Sequence, residues 1–236
     1  TGSLGIGIAA GTAVDGADNA ALAAGPSETV QIETPPLVVI TRAAGQAALD
    51  NTLPVVFDVV FDKVVTGFTA SDVTQSGSAP GVVFSLDGAG PAYTLSVTGI
   101  AGNGTIVPRI AAGVCVDSAG NPNEASTGIN LLVVYDATPP NVIINQAAGQ
   151  SDPAAALPLV FDIVFSETVT GFEVSDILFE GTASGLSYEV TGAGAAYTLR
   201  VTAITDDGTV IPVIPAGACQ DAADNGNTPS TSTDNS

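Results

Sequence analysis

Short stretches in which apolar and polar residues alternate recur along the whole chain. Over residues 54–61, Val55, Phe57, Val59 and Phe61 fall on one face, while Val56, Asp58, Val60 and then Asp62 fall on the other. That is the two-residue period of an extended strand. Tyr93, Leu95 and Val97 alternate in the same way with Thr94, Ser96 and Thr98. Clusters of turn-forming residues at 45–51, 77–81, 88–90, 102–104 and 117–123 separate the runs, and Gly, Asn and Asp are the residues that tolerate tight turns. No window carries a 3.6-residue apolar stripe of helical length. The pattern predicts strands A near 37–41, B 54–61, C 72–76, C′ or D 82–87, E 92–98, F 105–116 and G 129–135.

The pattern also repeats. Pro54-Val55-Val56-Phe57-Asp58-Val59-Val60-Phe61 returns 104 positions later as Pro158-Leu159-Val160-Phe161-Asp162-Ile163-Val164-Phe165. Val65-Thr66-Gly67-Phe68 returns as Val169-Thr170-Gly171-Phe172, and Tyr93-Thr94-Leu95 as Tyr197-Thr198-Leu199, at the same offset. A partial copy leads the chain: Gly2-Ser3-Leu4, Ile8-Ala9-Ala10-Gly11 and Asp15 match Gly104-Thr105-Ile106, Ile110-Ala111-Ala112-Gly113 and Asp117. The expected organisation is a two-strand partial repeat (1–34), a whole repeat (35–137) and a third unit (138–236) lacking its last strand. Thr34-Pro35-Pro36 and Thr138-Pro139-Pro140 form the linkers. About seven short strands per hundred residues, with regular turns, reads as an all-β fold of tandem immunoglobulin-like antiparallel sandwiches. Pro108 and Pro212 are at odds with a plain strand F, because proline removes a ladder N–H. Either F is bulged there or its neighbour does not pair at that residue.

Composition narrows the function. Among 236 residues, 24 are acidic and 4 basic, a net charge of −20. Hydrophobic residues still make up 45 %, so the chain is no disordered acidic tail. A phosphate backbone repels so acidic a chain, which excludes nucleic-acid binding. With no His, imidazole-based triads and most zinc sites are excluded too. No apolar run of about 18 residues exists, so no membrane-inserted helix is expected. With no initiating Met and no signal peptide, the chain is either processed or cut from something longer. Few Lys, no Met and no Trp suit an extracellular setting.

The strings Thr138-Pro139-Pro140, Asn145-Gln146-Ala147-Ala148-Gly149-Gln150-Ser151-Asp152-Pro153, Val164-Phe165-Ser166-Glu167 and Val169-Thr170-Gly171-Phe172 resemble the bacterial Ig-like repeats of very large surface proteins. Asp221-Ala222-Ala223-Asp224-Asn225 and Ser230-Thr231-Ser232-Thr233-Asp234-Asn235 continue the likeness, which covers essentially the whole chain. It implies an extracellular or cell-surface, non-catalytic module used in tandem in adhesins and fibres. The first whole repeat departs where Asp62-Lys63 stands in place of Ser166-Glu167.

Paired carboxylates, Asp206-Asp207 or Asp58 with Asp62, invite a glycosidase reading. Sugar cleavage also wants aromatic platforms, and aromatics are 5 % of the chain. No enzyme is expected. No cofactor is required, but calcium is a candidate: a sandwich end would gather linker residue Asp136 with Glu167, Asp221, Asp224 and Asn225, and calcium takes six to eight oxygen ligands. The first junction offers Glu33, Asp117 and Asn121. Against this, Asp-Ala-Ala-Asp-Asn also forms a plain turn by bonding its own backbone. Cys115 and Cys219 occupy one position in successive repeats, too far apart for a mutual disulfide. They are either two buried small hydrophobes or a bridge between chains. Asn103-Gly104-Thr105 fits a glycosylation sequon.

The phase of the ends carries two competing expectations. The cut is an accident within a longer array, the stalk of a large non-polymerising adhesin. Otherwise the ends are complementary, and the leading ribbon of one subunit completes the last sandwich of the next, giving a homopolymer by strand donation. Donor contacts would be Leu4, Ile6 and Ile8, or Val30 and Ile32. Four such side chains turned inward contribute roughly 6–12 kcal/mol, against an association cost of about 4–15 kcal/mol. A third class is an adhesin module binding a host or matrix glycan or protein through loops. Such recognition usually shows Tyr, Trp or Arg hot spots.

Overall fold

The structure, a computed structural model, describes residues 2–234. Thr1, Asn235 and Ser236, which bound the first and last predicted segments and the last sequence likeness, lie outside the described residues. The described residues are all-β, with two one-turn 3₁₀ segments and no α-helix. No helix among them is long and apolar enough to cross a membrane.

The alternating runs pair as expected. In the first unit a five-stranded sheet runs β11 (Thr127–Ile129), β3 (Val38–Arg42), β5 (Val55–Phe61), β8 (Ala92–Gly99), β7 (Val83–Ala89). Facing it lies a broken layer of β4 (Leu49–Asp50), β12 (Val133–Tyr135) and β9 (Gly104–Ile106), with β10 (Pro108–Ile110) paired to β6 (Val73–Gln75). Val55, Phe57 and Val59 are fully buried between the layers, whereas Val60 on the outer face is 49 % exposed. Ile106, Ile110, Val133 and Tyr135 join them from the opposite layer in one continuous core. The arrangement is β-sandwich-like.

The second unit repeats it. Its sheet is β13 (Val142–Gln146), β14 (Leu159–Phe165), β17 (Ala196–Ala203), β16 (Ser187–Ala193), and β15 (Leu178–Phe179) pairs with β18 (Pro212–Val213). The likeness extends to ring geometry. Phe61, Phe68 and Tyr93 meet edge-to-face at centroid distances of 5.3, 6.0 and 5.1 Å, and Phe165, Phe172 and Tyr197 at 5.3, 5.9 and 4.9 Å. The parallel pairing of Thr127 with Val39 recurs as a bridge between Thr231 and Ile143.

Two predicted strands need correction. Strand F ends at Ile110, not at residue 116. The apolar stretch after it is a loop, because the buried Asn123 side chain accepts the amides of Val114 and Cys115 and donates to the Ala111 carbonyl. Strand G is two pieces in different layers: β11 lies parallel to β3, and β12 lies between β4 and β9. Pro108 is accommodated because F changes partner at that point. β9 pairs with β12, β10 pairs with β6, and the Val107 amide turns to the Gln75 side chain instead.

The leading segment is a two-stranded ribbon of β1 (Gly2–Leu4) and β2 (Val30–Ile32), continued by isolated bridges at Ile8–Ala24 and Val14–Ala20. It keeps backbone pairing but has no core of its own. Leu4, Ile6, Ile8, Val30 and Ile32 are 55–67 % exposed.

Candidate functional site

The junction between the two sandwiches is built from turns. In the loop after Cys219, Asp221 Oδ1 accepts the amides of Ala223 (2.7 Å) and Asn225 (2.9 Å), which closes the turn and buries the carboxylate. Asn225 Nδ2 then donates both to Asp221 Oδ2 and to the backbone carbonyl of Asp136, each at 2.9 Å. Its Oδ1 accepts Asn51 Nδ2 from the first sandwich at 3.1 Å. Asn103 holds the linker from the other side: its Nδ2 donates to Asp136 Oδ1 and to Thr138 Oγ1, and its Oδ1 accepts the Ala137 amide. The Nδ2 of the sequon asparagine is therefore engaged in the junction.

Of the residues expected to gather at this joint, Asp136, Glu167 and Asp221 come together, with carboxylate oxygens within 4.8 Å of one another. Burial pushes the Glu167 carboxyl above its ordinary range, and the charges of Asp221 and Asp136 push it further. Asp224 turns away and accepts Gln220 Nε2 at 2.8 Å. Asn225 serves as the latch to the linker.

The first junction has the same frame and the opposite electrostatics. Asp117 Oδ1 accepts the amides of Ala119 and Asn121, and Asn121 Nδ2 donates to the carbonyl of Glu33 at 3.3 Å. Lys63 takes the position that Glu167 holds in the second unit. Its ammonium lies 3.7 Å from Asp117 Oδ2 and donates to the Thr34 carbonyl. Burial alone would raise the Asp117 carboxyl, but hydrogen bonds from Asn121 and Ala119 and the Lys63 charge outweigh it and hold it below the usual range. Glu33 meets this site through its backbone carbonyl.

A second feature separates the two units. In the first, β12 fills the space between β9 and β4, with Val133 fully buried and Tyr135 9 % exposed. In the second, among the described residues, no strand lies between the counterparts 153–154 and 208–210. A cleft of about 790 Å³ runs there, with Leu159, Phe161 and Val210 in its wall and Asp152 and Asp207 at its rim. Sequence reasoning expected a missing strand here but did not foresee the cleft's lining. It missed the Lys63 ion pair and the two asparagine latches. The Asp62-Lys63 departure was the signal for the first, and the i, i+4 spacing of Asp117-Asn121 and Asp221-Asn225 was the signal for the second.

The remaining candidates are placed as follows. Asp62 accepts the Leu37 amide and Asp206 accepts the Ser184 hydroxyl, so both serve local structure. Cys115 and Cys219 are free and buried, 3 % and 5 % exposed. Burial pushes both thiols up, that of Cys219 to about 11. Thiols so protonated and so enclosed are poor nucleophiles. Among the described residues every buried side-chain nitrogen and oxygen has a hydrogen-bond partner. No protein-family model matches the chain, and the comparison with curated proteins gave no match.

Proposed function

We propose that the chain is a structural segment of an extended extracellular fibre at a bacterial-type cell surface, built of tandem immunoglobulin-like sandwiches and extending head-to-tail through strand donation. The observation that carries the reading is repetition down to hydrogen bonds. Two units related by an offset of 104 residues share core, ring geometry and strand register, and the same Asp–Asn turn latches each to the linker before it. A latch on the backbone carbonyl of the linker stiffens a joint without a large interface, which suits an element that must transmit length. The charge of −20 works in the same direction, since like-charged fibres resist lateral collapse within the Debye length of about 8 Å at physiological salt.

No enzymatic role and no required cofactor belong to this reading. One member of each carboxylate pair, Asp62 and Asp206, is engaged in local structure, and the tyrosines pack against other rings or the core and form no exposed platform for a glycan. Calcium at the second junction is the auxiliary proposal. What supports it is the internal comparison: the frame that holds Lys63 in one joint holds a third carboxylate, Glu167, in the next. A divalent cation would supply there the positive charge that the lysine supplies in the first. Titration calorimetry with calcium should give heat and an EGTA-reversible rise in melting temperature, both lost in Glu167→Lys. No heat and no change in melting would end this part alone.

Electron microscopy of the full purified chain tests the main reading. Threads with an axial repeat of two sandwiches are expected, and discrete particles at every concentration would overturn it. A stalk segment of a longer, non-polymerising adhesin is the second reading. The cleft favours it equally, because a strand continuing the chain would also fill that space.

A further inference from the structure

We infer that the cleft of the second sandwich accepts residues 30–33 of a second copy of this chain, in one defined register and by exchange for that copy's own β1. The inference rests on the head-to-tail reading above and assigns its contact.

The first sandwich supplies the template. There β12 runs antiparallel to β9 and parallel to β4, and the amides of Val134 and Asp136 donate to the carbonyls of Ala48 and Asp50 at 2.8 and 3.0 Å. The cleft of the second sandwich is bordered by the residues 104 positions further on, with Gly208, Thr209 and Val210 along one side and Pro153 and Ala154 along the other. It therefore calls for an extended segment with apolar residues at alternate positions and a free outer edge.

The ribbon carries such a segment in a register that is already set. β1 and β2 pair as Gly2–Ile32, Ser3–Gln31 and Leu4–Val30. β9 and β12 pair as Gly104–Tyr135, Thr105–Val134 and Ile106–Val133. Val30 thus stands for Val133, Ile32 for Tyr135 and Glu33 for Asp136. The last equivalence has independent support, because Asn121 donates to the Glu33 carbonyl as Asn225 does to that of Asp136. The difference lies in burial: Val133 is fully buried, whereas Val30 and Ile32 are 65 % and 58 % exposed.

Exchange keeps every backbone pair in kind. Gly2-Ser3-Leu4 and Gly208-Thr209-Val210 share one pattern, so β2 can leave the first for the second with Ile32 opposite Gly208, Gln31 opposite Thr209 and Val30 opposite Val210. Hydrogen bonds given up on one edge are remade on the same edge, a near-neutral trade. The other edge of β2 gains residues 153–154, and Val30 and Ile32 leave water for the side of the cleft that carries Leu159, Phe161 and Val210, which sets the direction. Leu4, Ile6 and Ile8 are excluded as donors, because they lie on the arm of the ribbon whose counterparts, 208–214, the acceptor already has. The contact joins unlike surfaces and so propagates instead of closing.

The test is the full chain carrying Gln31→Cys and Thr209→Cys, oxidised and examined by non-reducing electrophoresis and by sedimentation. The expected result is a ladder of covalent oligomers that neither single variant gives. Val30→Asp with Ile32→Asp should abolish the ladder and weaken association at least about tenfold, with the sandwiches still folded by circular dichroism because both positions are exposed. Oligomers without the cross-link would overturn the register and leave head-to-tail assembly standing. A cross-linked monomer of altered mobility would give the cleft to the chain's own ribbon and overturn the second copy. Monomers throughout would overturn the donor assignment and the polymer reading together.

Discussion

In the first sandwich Val133 and Tyr135 close the layer that Ile106 begins, whereas in the second the flanking positions border a cleft of about 790 Å³. Their larger sheets are otherwise alike, with Phe57 and Phe161, Val59 and Ile163, and Leu95 and Leu199 in corresponding buried places. The joints differ in the charge beside the buried aspartate, Lys63 against Glu167, and the second is also braced by Asn51 and Asn103 of the preceding sandwich. A shared core thus makes each unit recognisable, but it is β12 that separates a closed unit from one with an unfilled edge. The pair forms an internal comparison, in which the slot and that charge are the two differences most open to test.

The largest expected effect comes from opening the first slot. Val133→Asp places a carboxylate in a fully buried position and should destabilise the first sandwich by at least about 3 kcal/mol. Urea unfolding followed residue by residue by NMR should then find it no more stable than the second. An unchanged first transition would remove β12 from the core.

Away from the slot the units should respond alike. Asn123 and Asn227 each hold buried loop backbone through both ends of the amide: Asn123 accepts from Cys115 and donates to Ala111, and Asn227 accepts from Cys219 and donates to Pro215. Replacing either by Ala leaves those groups unpaired, at about 2–4 kcal/mol. The two costs should agree within roughly 0.5 kcal/mol by the same urea experiment, and a larger gap would break the equivalence.

These two predictions draw on features that were unequally legible in the chain. Strands β5, β8 and β14 were visible because a half-buried strand imposes a period of two, as at Val55–Phe61. The 104-residue repeat is legible directly as matched strings such as Pro54–Phe61 and Pro158–Phe165. Strand G misled because Ile129 and Leu131-Leu132-Val133 read as one apolar run, although the chain crosses between layers there. Strand F is shorter than its apolar pattern predicts because Asn123 shapes the loop from well downstream, a contact that local pattern does not report. The gathering of Asp136, Glu167 and Asp221 followed from placing loops at a sandwich end. The Lys63 pairing did not, because its partner Asp117 lies 54 residues away in the chain and only the fold brings the two together.

Smaller effects test the joints. Glu167→Lys copies the first junction into the second and should stabilise the second sandwich by up to about 1 kcal/mol, as expected for a partly exposed pair. Loss of stability would mean that the joints are not interchangeable frames. The smallest effect is that of pH. The Glu167 carboxyl sits above its ordinary value of about 4.3, so the stability linked to its protonation is complete below that pH and is lost as pH rises through its folded value. Asp117, held low, contributes stability that is present above about 3.9 and lost as pH falls through its folded value. Acidification from neutrality to about 4.5 should therefore raise the melting temperature of the second sandwich relative to the first, as followed by calorimetry on wild type and Glu167→Gln. An equal response in the two proteins would dismiss Glu167 as the source.

Amide hydrogen exchange on the full chain, at dilution and at concentrations where it assembles, reaches the slot most directly. The amides of Gly208 and Val210 should exchange much faster than those of Gly104 and Ile106 in dilute solution and approach their protection on assembly, while Gly104 and Ile106 stay constant; Thr209 and Thr105, whose amides donate to Thr182 and Ser78, serve as the unchanging reference. Protection at Gly208 and Val210 that already matches Gly104 and Ile106 in the dilute chain, or that does not change on assembly, would contradict an open slot filled by a neighbour's strand.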